Sequence, residues 1–145
     1  MTRIVVAKDI AASPEVVFRA VSDFENLPNT NADVIRIEFL GEQREGLGTR
    51  FRDVRMQGKK EMPTDLEVTE FEDNRRMRCV ADTHGTIWDT LFEVTPTGKG
   101  AELRLTMDAT PHKLLPKLMV PILKGLFKKG MVSHLESVAT YCEAL

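Results

Sequence analysis

The period of the hydrophobic residues changes once along this chain of 145 residues, and the change lies at Pro111. Before Pro111, apolar and polar residues alternate, most clearly in the segment AELRLTMDA at residues 101–109. A period of two is typical of half-buried strands. After Pro111, apolar residues recur at helical spacing from Leu114 to Phe127. The sequence therefore predicts a sheet followed by one long C-terminal helix. Because of Pro116 and Pro121, either the first part of this helix is kinked or the regular helix begins near one of the two prolines.

Seven segments have the β-branched or alternating pattern of strands, and short polar or glycine-containing turns join the last six of them. Hairpin connections of this kind favour an antiparallel sheet. Such a sheet has an apolar face that must be covered, and only the terminal helix is long enough to cover it. The predicted strands are 3–10, 33–40, 49–57, 59–72, 76–83, 86–94 and 101–109.

A short helix is predicted directly after the first strand. Ser13 has the character of an N-cap, Pro14 suits the first helical position and Glu15 lies in the first turn. Apolar residues follow at helical spacing up to Phe24. Pro28 and the polar residues after it are expected to end any regular helix.

Composition and charge narrow the class of protein. The chain has the length of one domain, residues 1–145, and an ordinary globular composition with 42% hydrophobic residues. Its net charge of −2 gives no electrostatic reason to expect nucleic acid as a partner. Cys79 and Cys142 lie far apart and are expected to be free thiols. Because neither a signal peptide nor a long apolar stretch is visible, a soluble cytoplasmic protein is expected.

Several segments in order resemble the START-like or Bet v 1-like (SRPBCC) superfamily, and within it the polyketide cyclase/dehydrase and lipid transport branch. Two departures from the family pattern lie at Asn29–Asn31, after the Leu-Pro pair, and at Gly100–Ala101, in the last hairpin. The resemblance covers essentially the whole chain. The segments that carry it are IAASPEVVFRAVSDFENLPN (10–29), GLGTRFR (46–52), EVTEFEDNRRM (67–77), PTGKGAELRLTMD (96–108) and HLESVATYCE (134–143).

This resemblance implies an α+β helix-grip fold. A curved antiparallel sheet of about seven strands would wrap around the long C-terminal helix, with two short helices after the first strand closing one end. The implied function is binding or transport of a hydrophobic or amphiphilic small molecule, such as a lipid, isoprenoid or polyketide, between sheet and helix. Two alternatives stay open: an enzyme of the polyketide cyclase/dehydrase type, and a chaperone-type protein-interaction module.

The residues expected to line the cavity are the apolar side chains that share a face on the predicted strands and on the C-terminal helix. Each of them either packs in the core or forms part of the cavity wall. The second role is considered because ligand sites are lined mostly by apolar side chains. Trp88 is the only tryptophan of the chain. The predicted lining consists of Phe39, Phe51, Met62, Leu66, Met77, Trp88, Phe92, Leu103, Leu105, Met107, Leu118, Ile122 and Leu126.

Polar candidates are few. Asp53 and Arg55 share the parity of Phe51 and would be acid/base groups or ligand anchors if they point inward. In segment 49–57 both sets of alternating residues contain apolar and polar side chains. Which set faces inward therefore stays open. No nucleophile elbow, phosphate loop or catalytic set is readable, and the three histidines are too widely spaced to predict a metal site. No cofactor is expected, and whether the protein is an enzyme stays undecided.

The C-terminal segment is unusually basic. Between Asp108 and Glu136 the chain has five lysines and no acidic residue. This run is either a solvated helix face or a basic rim at Lys124, Lys128 and Lys129. Such a rim would attract an anionic amphiphile or make a weak contact with an anionic membrane. The oligomeric state is not determined by the sequence.

Overall fold

A computed structural model describes residues 1–145 and contains seven strands and four α-helices. A single 3₁₀ turn, Phe24–Asn26, lies between the first two helices. The strands are β1 (Thr2–Ile10), β2 (Val34–Phe39), β3 (Arg50–Gln57), β4 (Lys60–Glu72), β5 (Arg76–Thr83), β6 (Thr86–Thr97) and β7 (Gly100–Pro111). The helices are α1 (Pro14–Ser22), α2 (Leu27–Thr30), α3 (Leu114–Ile122) and α4 (Lys124–Glu143).

All seven strands form one antiparallel sheet in the order β1-β7-β6-β5-β4-β3-β2. The predicted sheet is therefore confirmed. Strands β2 to β7 follow one another as a meander, and β1 pairs with the last strand instead of the next one. As a result β1 and β2 lie at opposite edges, and the segment from α1 to α2 carries the chain from one edge to the other.

The predicted capping of α1 is confirmed. The Ser13 Oγ accepts a hydrogen bond from the Val16 N–H at 3.2 Å, and Pro14 occupies the first turn. The helix ends at Ser22, and buried Phe24 then stacks on Phe51 of β3 with ring centroids 4.1 Å apart. Pro28 does not end a helix here. It lies in the first turn of α2, where its missing N–H costs nothing.

The core lies between the sheet, α1 and the C-terminal half of α4. Phe18 of α1 is buried and meets Phe71 edge-on, with centroids 5.4 Å apart. Leu135 and Val138 of α4 are buried in the same cluster. Cys79 also belongs to it and is a free thiol, as predicted for both cysteines.

The C-terminal helical segment forms two helices, and the long one begins close to Pro121, in agreement with one of the two predicted alternatives. The segment is broken at Leu123, which separates α3 from α4. Pro121 lacks an N–H for the helix ladder, and Gly125 is a weak helix former, so both sides of the break favour it. No helix of the structure combines the length and the apolar character required to cross a bilayer.

Candidate functional site

The register of β3 places the predicted polar residues on the core side of the sheet. Phe51, Asp53 and Arg55 share one face, and Phe51 and Asp53 are buried. They stand opposite Leu66, Thr64 and Met62 of β4, respectively. The sequence left this register open, and the structure turns both polar candidates toward the side that α4 covers.

A strip of this inner face is only half-buried. Its residues lie on the same face as buried Met77 and Leu105, yet solvent reaches them. This part of the inner face is therefore less completely covered than the core around it. We call it the inner strip, which consists of Met62, Thr64, Leu66, Trp88, Thr90, Phe92 and Met107.

Helix α4 crosses above the inner strip. Phe127 meets Trp88 edge-on with ring centroids 5.0 Å apart, and His134 approaches Phe92 with centroids 6.3 Å apart. The two contacts lie about two helical turns apart. We call the space between the inner strip and α4 the cleft. Aromatic side chains of β6 lie on its sheet side, and Phe127 and His134 lie on its helix side.

Asp53 and Arg55 form a bidentate ion pair beside this cleft. The Arg55 Nε and Nη2 groups donate to the two Asp53 carboxylate oxygens at 3.0 and 3.1 Å. Asp53 is buried, whereas the Arg55 side chain is 45% exposed. A guanidinium has five N–H donors, so three remain to bind a carboxylate or carbonyl oxygen.

His134 lies on α4 within electrostatic range of Arg55. Burial, and to a smaller extent the positive charge of Arg55, lower the pKa of His134 from 6.5 to about 4. The imidazole is therefore neutral at neutral pH. Its Nε2 atom is enclosed and has no hydrogen-bond partner. A neutral imidazole whose nitrogen has no partner can accept a proton from a group that reaches it.

The predicted cavity residues fall into three groups in the structure. Phe51, Met77, Leu103 and Leu105 are buried in the core. Phe39 and the predicted members of the inner strip, which are Met62, Leu66, Trp88, Phe92 and Met107, are half-buried.

The third group corrects the prediction, because Leu118, Ile122 and Leu126 are exposed and do not line an enclosed space. The prediction places them on one continuous helical stripe. The break at Leu123 ends that stripe, and the face of α4 that points to the sheet continues through Phe127 and Met131 instead.

The sequence analysis does not name His134, Thr64 or Thr90 as site residues. His134 follows Phe127 and Met131 at the spacing of one helix face and precedes buried Val138 by four residues. This spacing alone could have marked it as inward-facing. That it lies within electrostatic range of Arg55 could not be read from the sequence, because the two residues are far apart along the chain.

Two further grooves lie on the surface away from the predicted residues. One, of about 560 Å³, runs along α4 between Asn29 and Leu145. The other, of about 390 Å³, lies between Pro14 and Arg75. Both are lined mainly by polar side chains, which distinguishes them from the inner strip.

Comparison with known proteins places the chain in a family. The family model described as polyketide cyclase / dehydrase and lipid transport matches residues 1–143. No significant match was found among curated proteins.

Solved structures share the fold at low sequence identity. The protein TTHA0849 from Thermus thermophilus has 23% identity and a TM-score of 0.81, covering 99% of this chain and 98% of that one. A START superfamily protein from Mycobacterium smegmatis has 19% identity and a TM-score of 0.76, covering 96% and 97%.

The di-domain ARO/CYC StfQ of the steffimycin biosynthetic pathway is also similar, with 13% identity and a TM-score of 0.80. The match covers 98% of this chain and 50% of StfQ. The predicted START-like resemblance and helix-grip fold are confirmed by these matches.

Proposed function

Since the chain belongs to the polyketide cyclase / dehydrase and lipid transport family, we propose that it binds and carries an amphiphilic small molecule in the cleft between the inner strip and α4. The apolar part of the ligand lies along Trp88, Phe92 and Met107. Its polar end, a carboxylate or carbonyl oxygen, binds Arg55. The ligand is a lipid, an isoprenoid or a polyketide-like chain.

One observation carries this proposal. An apolar strip that faces the core side of the sheet is half-buried, and a half-exposed arginine with free donors lies beside it. Ligand sites are mostly apolar with a few convergent polar groups, and this arrangement has that composition. Because Asp53 holds the guanidinium from the buried side, Arg55 is preorganised before a ligand arrives.

The test compares two probes that differ only in their head group, decanoate and 1-decanol, with Trp88 fluorescence as the readout. We expect Arg55→Gln to weaken decanoate binding about tenfold, because a hydrogen bond to a charged group is lost. We expect decanol binding to stay within about twofold, because the apolar strip is unchanged. Since Trp88 is the only tryptophan and lies in the strip, its signal reports this site.

Arg104→Gln is the matched control. Arg104 lies on the outer face of the sheet, pairs with Glu102 and is 48% exposed, close to the exposure of Arg55. It should bind both probes as the wild type does. Equal losses of affinity for decanoate and decanol in R55Q, or no Trp88 response in the wild type, would contradict the proposal.

Native mass spectrometry of the purified protein then identifies any hydrophobic molecule that accompanies the protein.

A cyclase/dehydrase role is the second candidate, and His134 favours it. A neutral imidazole could remove a proton next to a carbonyl, while Arg55 stabilises the resulting enolate oxygen. The test is the cyclisation of a synthetic poly-β-ketone thioester. Acceleration over buffer by the wild type, lost in His134→Leu, would support this role. A product ratio identical to that in buffer would exclude it for this substrate.

A further inference from the structure

The outward side of α3 is apolar. Leu114 and Ile122 are 77% and 74% exposed, although both are large aliphatic residues. The one buried residue of α3 is Val120, which lies on the opposite side of the helix. Leu126 continues the exposed face into α4. We call this surface the α3 patch, which consists of Leu114, Leu115, Leu118, Met119, Ile122 and Leu126.

Unpaired positive charges lie in the same segment as the α3 patch. Five lysines accompany it, and all of them are exposed. The ion pairs of the protein are formed by arginines and His112, so none of these lysines is neutralised within the chain. No acidic residue lies between Asp108 and Glu136. The lysines are Lys113, Lys117, Lys124, Lys128 and Lys129.

We propose that α3 and the first turns of α4 dock on the surface of an anionic lipid bilayer. The apolar side chains of the α3 patch enter the interface between head groups and acyl chains, and the lysines bind the lipid phosphates. Interfacial helices combine these two features. The methylene groups of a lysine lie along apolar surface while its ammonium group reaches the lipid head groups. The inference goes beyond ligand binding, because it concerns the outer surface and not the inner strip.

Charge favours a lipid surface over a second copy of this chain. A symmetric dimer through the α3 patch would bring the same five lysines face to face, and juxtaposed like charges oppose association. An anionic bilayer both covers the apolar residues of the α3 patch and neutralises its lysines. Each lysine near such a surface adds to the affinity, and salt screens the effect.

The experiment measures co-sedimentation of the full chain with two kinds of vesicle: pure phosphatidylcholine, and phosphatidylcholine with one third phosphatidylglycerol. We expect the wild type to bind the anionic vesicles and to bind neutral ones much more weakly. Leu118→Gln should lower the partition coefficient at least about fivefold, because an apolar side chain no longer enters the interface. Lys124→Gln with Lys128→Gln should lower it about tenfold or more.

Two matched controls lie at the opposite end of the sheet. Leu47→Gln changes a leucine that is 62% exposed, against 60% for Leu118. Arg75→Gln with Lys99→Gln removes two exposed positive charges from turns, the same loss of charge as in K124Q/K128Q. Both controls should bind anionic vesicles like the wild type.

Three results would overturn the proposal. The first is absence of wild-type binding to anionic vesicles at low salt. The second is binding that the controls weaken as much as the patch variants do. The third is a concentration-dependent dimer in sedimentation equilibrium that Leu118→Gln abolishes, which would assign the patch to a second copy. A monomer at all concentrations supports the proposal.

Discussion

Gly100→Ala is expected to lower the free energy of unfolding by about 3 kcal/mol or more. Gly100 begins β7 with a φ of +151°, a backbone conformation that residues with a Cβ rarely adopt. An added Cβ would overlap the carbonyl oxygen of Ile10 and lie 2.8 Å from the N and O atoms of Ala12. These are backbone atoms of the connection between β1 and α1, so no side-chain rotation relieves the clash.

Thermal and urea unfolding measure this effect, and Gly98→Ala is its control. Gly98 lies in the same turn, and an added Cβ there meets nothing within 4 Å. For a chain of this length, 3 kcal/mol corresponds to a fall in Tm of roughly 6–12 °C. G98A should change the free energy of unfolding by less than about 1 kcal/mol. A G100A variant as stable as G98A would show that the hairpin does not approach β1 this closely.

The wild type is expected to lose about 3 kcal/mol of stability through His134 as the pH falls from 7 to 4. In the unfolded chain this histidine takes up a proton near pH 6.5, whereas in the folded protein burial and Arg55 lower its pKa to about 4. Between these values the unfolded state binds more protons, so stability rises with pH in this window. The stabilisation is complete above pH 6.5 and is lost as the pH falls toward 4.

Urea unfolding across this pH range, in the wild type and in His134→Leu, measures the contribution. H134L should have a flatter profile between pH 7 and 5, because leucine does not titrate. Carboxylates with a pKa lowered by arginine partners, such as Asp65 and Asp108, add acid sensitivity in both proteins at lower pH. Parallel wild-type and H134L profiles would contradict the buried neutral histidine, as would an NMR titration in which His134 protonates near pH 6.5.

Local patterns were sufficient to predict the strands and the first helix. The alternation in residues 101–109 corresponds to β7, and the cap at Ser13 begins α1 as expected. Gly58 lies between β3 and β4 with a φ of +63°, a conformation that glycine adopts readily at a hairpin tip. These features depend on residues that are close together along the chain, so the sequence alone contains the physical reason for them.

The candidate site depended on contacts between distant segments. Segment 49–57 is amphipathic in both phases, and only its pairing with β4 decided that Asp53 and Arg55 face inward. The position of His134 over Phe92 and within electrostatic range of Arg55 follows from how α4 lies across the sheet, which no local pattern encodes.

The sequence by itself determined that this chain forms an antiparallel sheet with an apolar face and a helix to cover it, because backbone periodicity and turn chemistry are local properties. The tertiary structure decided which part of the C-terminal segment does the covering. The break at Leu123 turns α4 toward the sheet and leaves Leu118 and Ile122 exposed. Hydrophobicity alone could not distinguish these two faces, since both are apolar, and only packing against the sheet separated the cleft from the α3 patch.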